Sequence, residues 1–282
     1  MGSLFVVATP IGNLADISKR AIETLENVDI ILCEDTRHSL KLLNYYNIKN
    51  KLISYHKFNE VERSSSVIEK LKSGLDIAII TDAGTPCVSD PGYVLIKKAK
   101  EEGIEVIGVG GISALVTALS VSGINSDTFT FYGFFPRENK DKKSVINEIL
   151  ESKIRTYIFY ESPKRIIKTL KYIYENLGDV LISVSSDLTK IHEKNYYGRL
   201  SNVLKIMESN PNIELGEYVF IIENDIVRES VINNDISIEA LLIDVVVKNN
   251  FSIKEGIDYL SKNSDYSKKD IYNASLNLKK IK

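Results

Sequence analysis

The chain has 282 residues, of which 44% are hydrophobic and 26% charged, with a formal net charge of −2. That length buries a large core and suggests about two domains, and the composition is ordinary for a soluble globular protein. Near-neutral charge excludes a globally basic nucleic-acid binder, so any patch for nucleic acid must be local. In chain order, short β-rich runs at 4–8, 29–33, 51–55, 76–80 and 105–109 alternate with helical patterns such as Ser18–Val28 and Val61–Leu71. Strands alternating with helices over 1–124 predict βαβ units and a largely parallel sheet covered on both faces. Ligands of such sheets bind beyond the carboxyl ends of the strands. There lie "ATPIGN" (8–13), "CEDTR" (33–37), "TDAGTP" (81–86) and "GVGGISA" (108–114). One Gly-Pro loop is ordinary turn chemistry. Four unusual loops on one edge form a ligand constellation.

A second α/β segment, 125–226, has strand candidates at 129–135, 156–161, 180–186 and 217–223. Helices are predicted at Lys143–Glu151, Pro163–Asn176 and Leu200–Ser209, with Ser162 as N-cap and Pro163 at the first helical position. The polar stretch 225–235 reads as a linker. A helical tail, 230–282, holds three Ser-initiated helices. Ser252 and Ser267 each precede an acidic residue by three positions, as in a capping box, and the tail resembles a helix-turn-helix module. Cys33 and Cys87 flank apolar segments and read as buried reduced thiols. His38, His56 and His192 lack ligand spacing, so no metal is expected. No stretch approaches ~20 uninterrupted apolar residues, and the opening apolar run is too short for a signal peptide. A cytoplasmic protein without a membrane partner is expected.

The dinucleotide fingerprint G-x-G-x-x-G is absent from the first strand-end loop. Pro10 stiffens that loop instead, and Gly12 allows close backbone approach. "ATPIGNL", "CEDTR", "TDAGTPCVSDPG", "GFFPR" and "FYESPKR" occur in this order. The set resembles the tetrapyrrole (corrin/porphyrin) methylase superfamily. Within it the motifs look like the RsmI family, which are S-adenosylmethionine-dependent 16S rRNA (cytidine-2′-O)-methyltransferases. The resemblance spans residues 4–224, and the tail is similar to the small C-terminal helical domain that many members carry. It implies an α/β, two-domain tetrapyrrole-methylase-like fold with the donor in the cleft between the domains, and a homodimer. It also implies donor contacts at Pro10, Asp82, Gly84, Thr85, Pro86, Ser113, Ala114 and Tyr160, no metal, and 16S rRNA within the small ribosomal subunit as partner. Asp90-Pro91-Gly92 reads as a turn and helix start. Three departures stand out: "GGISA" (110–114) replaces Pro-Gly-Pro-Ser-Ala, Lys164 replaces a histidine, and "SDLTK" (186–190) lacks an arginine.

Methylation of a ribose hydroxyl is an in-line displacement on an activated carbon, so positioning is the main catalytic task. A base to accept the hydroxyl proton helps. Glu161 is the first candidate, followed by Lys164, Glu34 and Asp35. Helix capping is an open alternative for Glu161, and a salt bridge with Arg37 for the acidic pair. RNA phosphates are expected at Arg37, at Arg137, Lys140, Lys142 and Lys143 on a basic loop, and at Arg165. Tyr132 and Phe134 are candidates to stack a base. The near-neutral charge favours an assembled or nearly assembled subunit over free RNA. Two alternatives stay open: a tetrapyrrole methyltransferase, and a non-catalytic S-adenosylmethionine-binding ribosome-associated protein.

Overall fold

A computed structural model of the chain describes residues 1–152, 154–224, 237–264 and 266–278. They fall into two units, Met1–Asp225 and Ile226–Lys282. The expected linker at 225–235 lies outside the described residues.

The first unit contains two five-stranded sheets. In the first, β1 (Leu4–Val7), β2 (Ile30–Cys33), β3 (Leu52–Ser54), β4 (Ile77–Ile79) and β5 (Val106–Val109) run in the order β3-β2-β4-β1-β5. Every pairing is parallel. Side chains alternate across the pleat. Ile77 and Ile79 therefore pack with Leu71 and Leu95 on one face, while Ala78 and Ile80 pack with Ala21, Leu25 and Leu43 on the other. Burial on both sides explains why these strands read as continuous apolar runs. The crossovers carry α1 (Lys19–Asn27), α2 (Thr36–Tyr45), α3 (Glu60–Lys72) and α4 (Tyr93–Glu101). α5 (Ala114–Val121) leaves the edge strand toward the second sheet.

The second sheet is mixed: β6 (Phe129–Phe134), β7 (Thr156–Glu161), β8 (Leu181–Ser186), β9 (Lys194–Arg199) and β10 (Tyr218–Glu223), in the order β6-β7-β10-β8-β9. Only β6 and β7 pair in parallel. α6 (Asn139–Glu151), α7 (Ile166–Leu177) and α8 (Leu200–Glu208) bury one face around Phe135, Phe159 and Phe220. Ile158, Val219 and Ile221 on the opposite face pack with Ala118 and Leu119 of α5. α5 thus joins the two sheets through apolar contact.

In the second unit, α9 (Ile238–Asn249), α10 (Ile253–Asn263) and α11 (Lys268–Leu278) enclose Leu242, Leu260 and Ile271. The Ser252–Glu255 capping box is complete, and the Ser267 hydroxyl accepts from Asp270 N at 3.2 Å.

The structure departs from expectation at four local points. β9 is a polar, mostly exposed edge strand, so it carries no apolar signal. α6 begins at Asn139, which places Lys140, Lys142 and Lys143 on a helix rather than a loop. Asp141 in its first turn favours that earlier start. α7 begins at Ile166: Ser162 turns its N–H and hydroxyl to Glu161, leaving a preceding turn in which Arg165 N and Ile166 N donate to the Ser162 carbonyl. Cys33 is buried, but Cys87 is only partly so.

β6 bulges between Phe131 and Phe134. The bulge brings Gly133, at φ +72°, against the 81–92 loop, where a Cβ would lie 2.7 Å from Ser89 Oγ. Gly133→Ala therefore combines a left-handed backbone with a clash and is expected to cost about 1–2 kcal/mol. Denaturant unfolding checks this, and a loss under about 0.5 kcal/mol, the range of ordinary surface substitutions, would contradict it.

Candidate functional site

The loops that leave β1 and β4 run side by side and are pinned to each other. Thr9 N donates to the Gly84 carbonyl at 2.9 Å, and Gly84 N returns a bond to the Thr9 carbonyl at 3.1 Å. The buried Thr9 hydroxyl donates to the Thr81 carbonyl at 3.2 Å. Gly84 sits at φ +83°, a conformation that favours glycine. Pro10 and Pro86 are buried behind the bridge and restrict the chain on either side. Farther along the same loop Cys87 and Ser89, neither a glycine, both stand at φ +70°. Such strain persists only where the surroundings overdetermine it, and it clusters at functional loops.

Between these loops and the second sheet lies a hollow of about 390 Å³. Asp82, Gly84, Thr85 and Asp90 form one wall, and Ser113 and Ala114, at the start of α5, a second. Phe134, Tyr160, Leu188 and Val219 supply an apolar side facing them. The Tyr160 ring is fixed edge-on by Phe131 and Phe134, with centroids 4.9 and 5.8 Å away. Size and lining, mostly apolar with a few convergent polar groups, suit a small molecule.

The polar side of the hollow is anionic. Burial pushes the Asp90 carboxyl up to about 6, with further upward pressure from Glu34 and Asp82. Burial and then Asp82 also raise Glu34, opposed by His56. Crowded carboxylates short of solvent favour a cationic ligand, which relieves both effects. Asp35 differs. Its side chain caps α2 and bonds the Arg37 guanidinium, which holds its carboxyl down at about 2. Among the described residues, no three His, Cys, Asp or Glu side chains group as metal ligands. No described helix is long and apolar enough to cross a membrane.

Of the residues expected on the donor, Asp82, Gly84, Thr85, Ser113, Ala114 and Tyr160 line this hollow. Pro10 lines an adjoining hollow, and Pro86 lies buried outside both. Glu161 also lines the first hollow, yet its carboxylate is occupied. Oε1 accepts from Ser162 N at 2.7 Å, while Oε2 accepts from Thr169 Oγ1 at 2.6 Å and pairs with Arg165 at 3.3 Å. Arg165 in turn donates to the Phe135 and Pro136 carbonyls at 2.9 and 2.8 Å, so its guanidinium is engaged inside the protein. Lys164 is exposed beside Pro163, and Glu34 and Asp35 stay outside the lining. Arg137, Lys140 and Lys143 are exposed away from the hollow, and Lys142 lies over the Tyr172 ring at 5.2 Å. Tyr132 is not available to stack a base: it already stacks on Phe159 at 5.1 Å. Phe134 remains 58% exposed at the rim. Asp90 is the lining residue that sequence reasoning assigned elsewhere. "SDPG" has turn chemistry, and only the fold reveals that the turn's carboxylate faces the hollow.

The raised carboxyl of Asp90 has a signed consequence. Between its ordinary 3.8 and about 6 the folded protein binds a proton that the unfolded chain has released. Its contribution to stability is therefore present below the ordinary value and is lost as pH rises toward the folded one. Asp90→Asn removes this dependence, so the stability of the variant relative to the wild type should climb between pH 4 and 6 and level off above. Denaturant unfolding across pH measures it, and a flat difference would contradict the assignment.

Comparison with known proteins adds the lineage. The profile described as "Tetrapyrrole (Corrin/Porphyrin) Methylases" matches residues 3–204. A Haemophilus influenzae protein named Ribosomal RNA small subunit methyltransferase I is 40% identical over 276 residues, covering 98% of this chain and 96% of that one. A Bacillus subtilis protein of the same name is 44% identical over 223 residues, covering 79% and 75%. Among solved structures, diphthine synthase superposes with a TM-score of 0.60 at 14% identity, covering 79% of this chain and 90% of that one. The methyltransferase CobJ superposes at 0.58 and 15%, covering 80% and 95%. These distant likenesses establish the shared fold. The profile and the sequence relatives identify the chain as a member of the tetrapyrrole methylases and, within them, of the ribosomal RNA small subunit methyltransferase I family.

Proposed function

We propose that this protein binds S-adenosylmethionine in the hollow between the two sheets and methylates the 2′-oxygen of a cytidine ribose in 16S rRNA. The acceptor in this reading is the assembled or nearly assembled small ribosomal subunit, and the enzyme is a cytoplasmic homodimer. The observation that carries the reading is convergence: Asp82, Gly84, Ser113, Ala114 and Tyr160 come from separate segments of sequence to one hollow. The full-length relatives of the chain bear the rRNA methyltransferase name.

The residues present fit the donor. Asp82 and Asp90 offer negative charge to a cationic ligand, Gly84 leaves room by lacking a side chain, and Ala114, Leu188 and Val219 provide apolar walls. Once bound, S-adenosylmethionine supplies a methyl carbon activated by a positive sulfur. The chain's own task is to orient the acceptor oxygen, keep water out and hold the released proton. Asp90, raised to about 6, is suited to hold that proton near neutral pH. Glu161 acts in this reading as a positioning residue that braces Ser162, Thr169 and Arg165. The exposed Arg37, Arg137, Lys140 and Lys143 are available to RNA phosphates.

Labelled S-adenosylmethionine incubated with small subunits from cells lacking this protein is expected to label a cytidine ribose, and subunits to outpace naked rRNA. Donor binding without RNA label would shift the reading to a non-catalytic binder or a tetrapyrrole enzyme. Equal rates on naked rRNA would contradict the subunit preference. Glu161→Gln is expected to lose roughly 1–3 kcal/mol of stability, because it leaves a buried donor unpaired. Loss of turnover at unchanged stability would instead mark Glu161 as the base.

A further inference from the structure

Beside the donor hollow lies a second of about 390 Å³, and the two share Ile11, Asp82, Ala83 and Glu217 as a common wall. Methyl transfer requires the acceptor to reach the donor directly, so the acceptor belongs in a space that adjoins the first hollow. The opposite wall of the second hollow is one face of α2, formed by His38, Lys41, Leu42 and Tyr45. These positions stand at i, i+3, i+4 and i+7, which places them on the same side of a helix. Between Thr36 and Tyr45 this helix has no acidic residue; Arg37 is paired with Asp35 just before it, and Lys41 is, among the described residues, the uncompensated cation on the face that lines the hollow. In a chain of net charge −2, this stripe presents one free cation among the described residues, Lys41, beside the imidazole donor of His38.

At the end of the stripe Tyr45 is 63% exposed. Its ring is held edge-on by Tyr46, centroid to centroid 4.9 Å, and the Tyr46 hydroxyl is itself hydrogen-bonded to the Leu14 carbonyl. An exposed aromatic ring braced from behind is a ready stacking platform. Tyr45 also lines a third hollow of about 660 Å³, next along the same groove. Lys190 lines both hollows as well, but Asp187 and Glu217 hold its ammonium at 2.9 and 3.0 Å. The free positive charge of the groove is therefore on the α2 side.

We infer that the second hollow receives the acceptor nucleotide as an extruded, single-stranded residue, with Tyr45 stacking a base and His38 and Lys41 meeting the flanking phosphates. The inference rests on the RNA-methylating reading above and adds where the nucleotide enters. α6, which carries Lys140, Lys142 and Lys143, has acidic residues interspersed and lines none of the three hollows.

The test compares wild type, Tyr45→Ala, Tyr45→Phe and Lys41→Ala for initial rates against small-subunit concentration, and for donor affinity by calorimetry. Tyr45→Ala is expected to raise KM for subunits about tenfold, as loss of one base stack does. Tyr45→Phe keeps the stacking face and should stay within about twofold. Lys41→Ala should lower the slope of log affinity against log salt by about one phosphate contact. All three should bind the donor as the wild type does, which also shows that they are folded. Unchanged KM and salt slope in an active enzyme would overturn the inference while leaving the functional reading intact. A wild-type protein that labels no subunit would overturn that reading and this inference together.

Discussion

The paired hydrogen bonds between Thr9 and Gly84 carry the geometry of the site. Beyond the ends of β1 and β4, which pair in parallel, a separate antiparallel bridge ties Thr9 to Gly84 and holds the two loops together. Because the bridge needs a left-handed Gly84, the loop must turn there, and Asp82 and Thr85 are directed toward the hollow in consequence. The buried Thr9 hydroxyl fixes the same turn from behind through the Thr81 carbonyl. Each bond contributes only about 1 kcal/mol, so the effect is one of direction more than stability. Loop geometry then determines where the second sheet can sit, since Gly133 meets Ser89 only while the loop keeps this path.

Charge is partitioned around this frame. Asp82 and Asp90 face the first hollow and Glu34 presses on Asp90 from the end of β2, while the exposed face of α2 carries Lys41 along the second. In the proposed reading a cationic small molecule and a polyanion have adjoining places that share the Asp82 and Glu217 wall. A single basic cleft would attract phosphates into the donor space. The acidic wall, in the proposed reading, opposes that entry.

Much of this was legible in the sequence. Alternating apolar runs and helical patterns establish a parallel sheet, and loop chemistry at four strand ends marks its functional edge. What stayed hidden has specific causes. β9 has no apolar periodicity because one face, Asn195, Tyr197 and Arg199, is exposed and the other is only half-buried through Tyr196 and Gly198. Asp90 in a turn motif gives no clue to the direction of its carboxylate. Tyr132 and Phe134, two residues apart in one strand, would share a face in a regular pleat, but the bulge breaks that register. Tyr132 then joins the stack in the core while Phe134 stays at the rim. Arg165 reads as a surface cation, and only the packing of β7 against α7 turns it toward Glu161.

The most direct measurement is a crystal structure of the protein with S-adenosylhomocysteine, the demethylated form of the donor. The account predicts density in the hollow bounded by Gly84, Ala114 and Tyr160, with Asp82 and Asp90 nearby and the α2 groove left open. Density against His38, Lys41 and Tyr45 instead, with the first hollow empty, would contradict it.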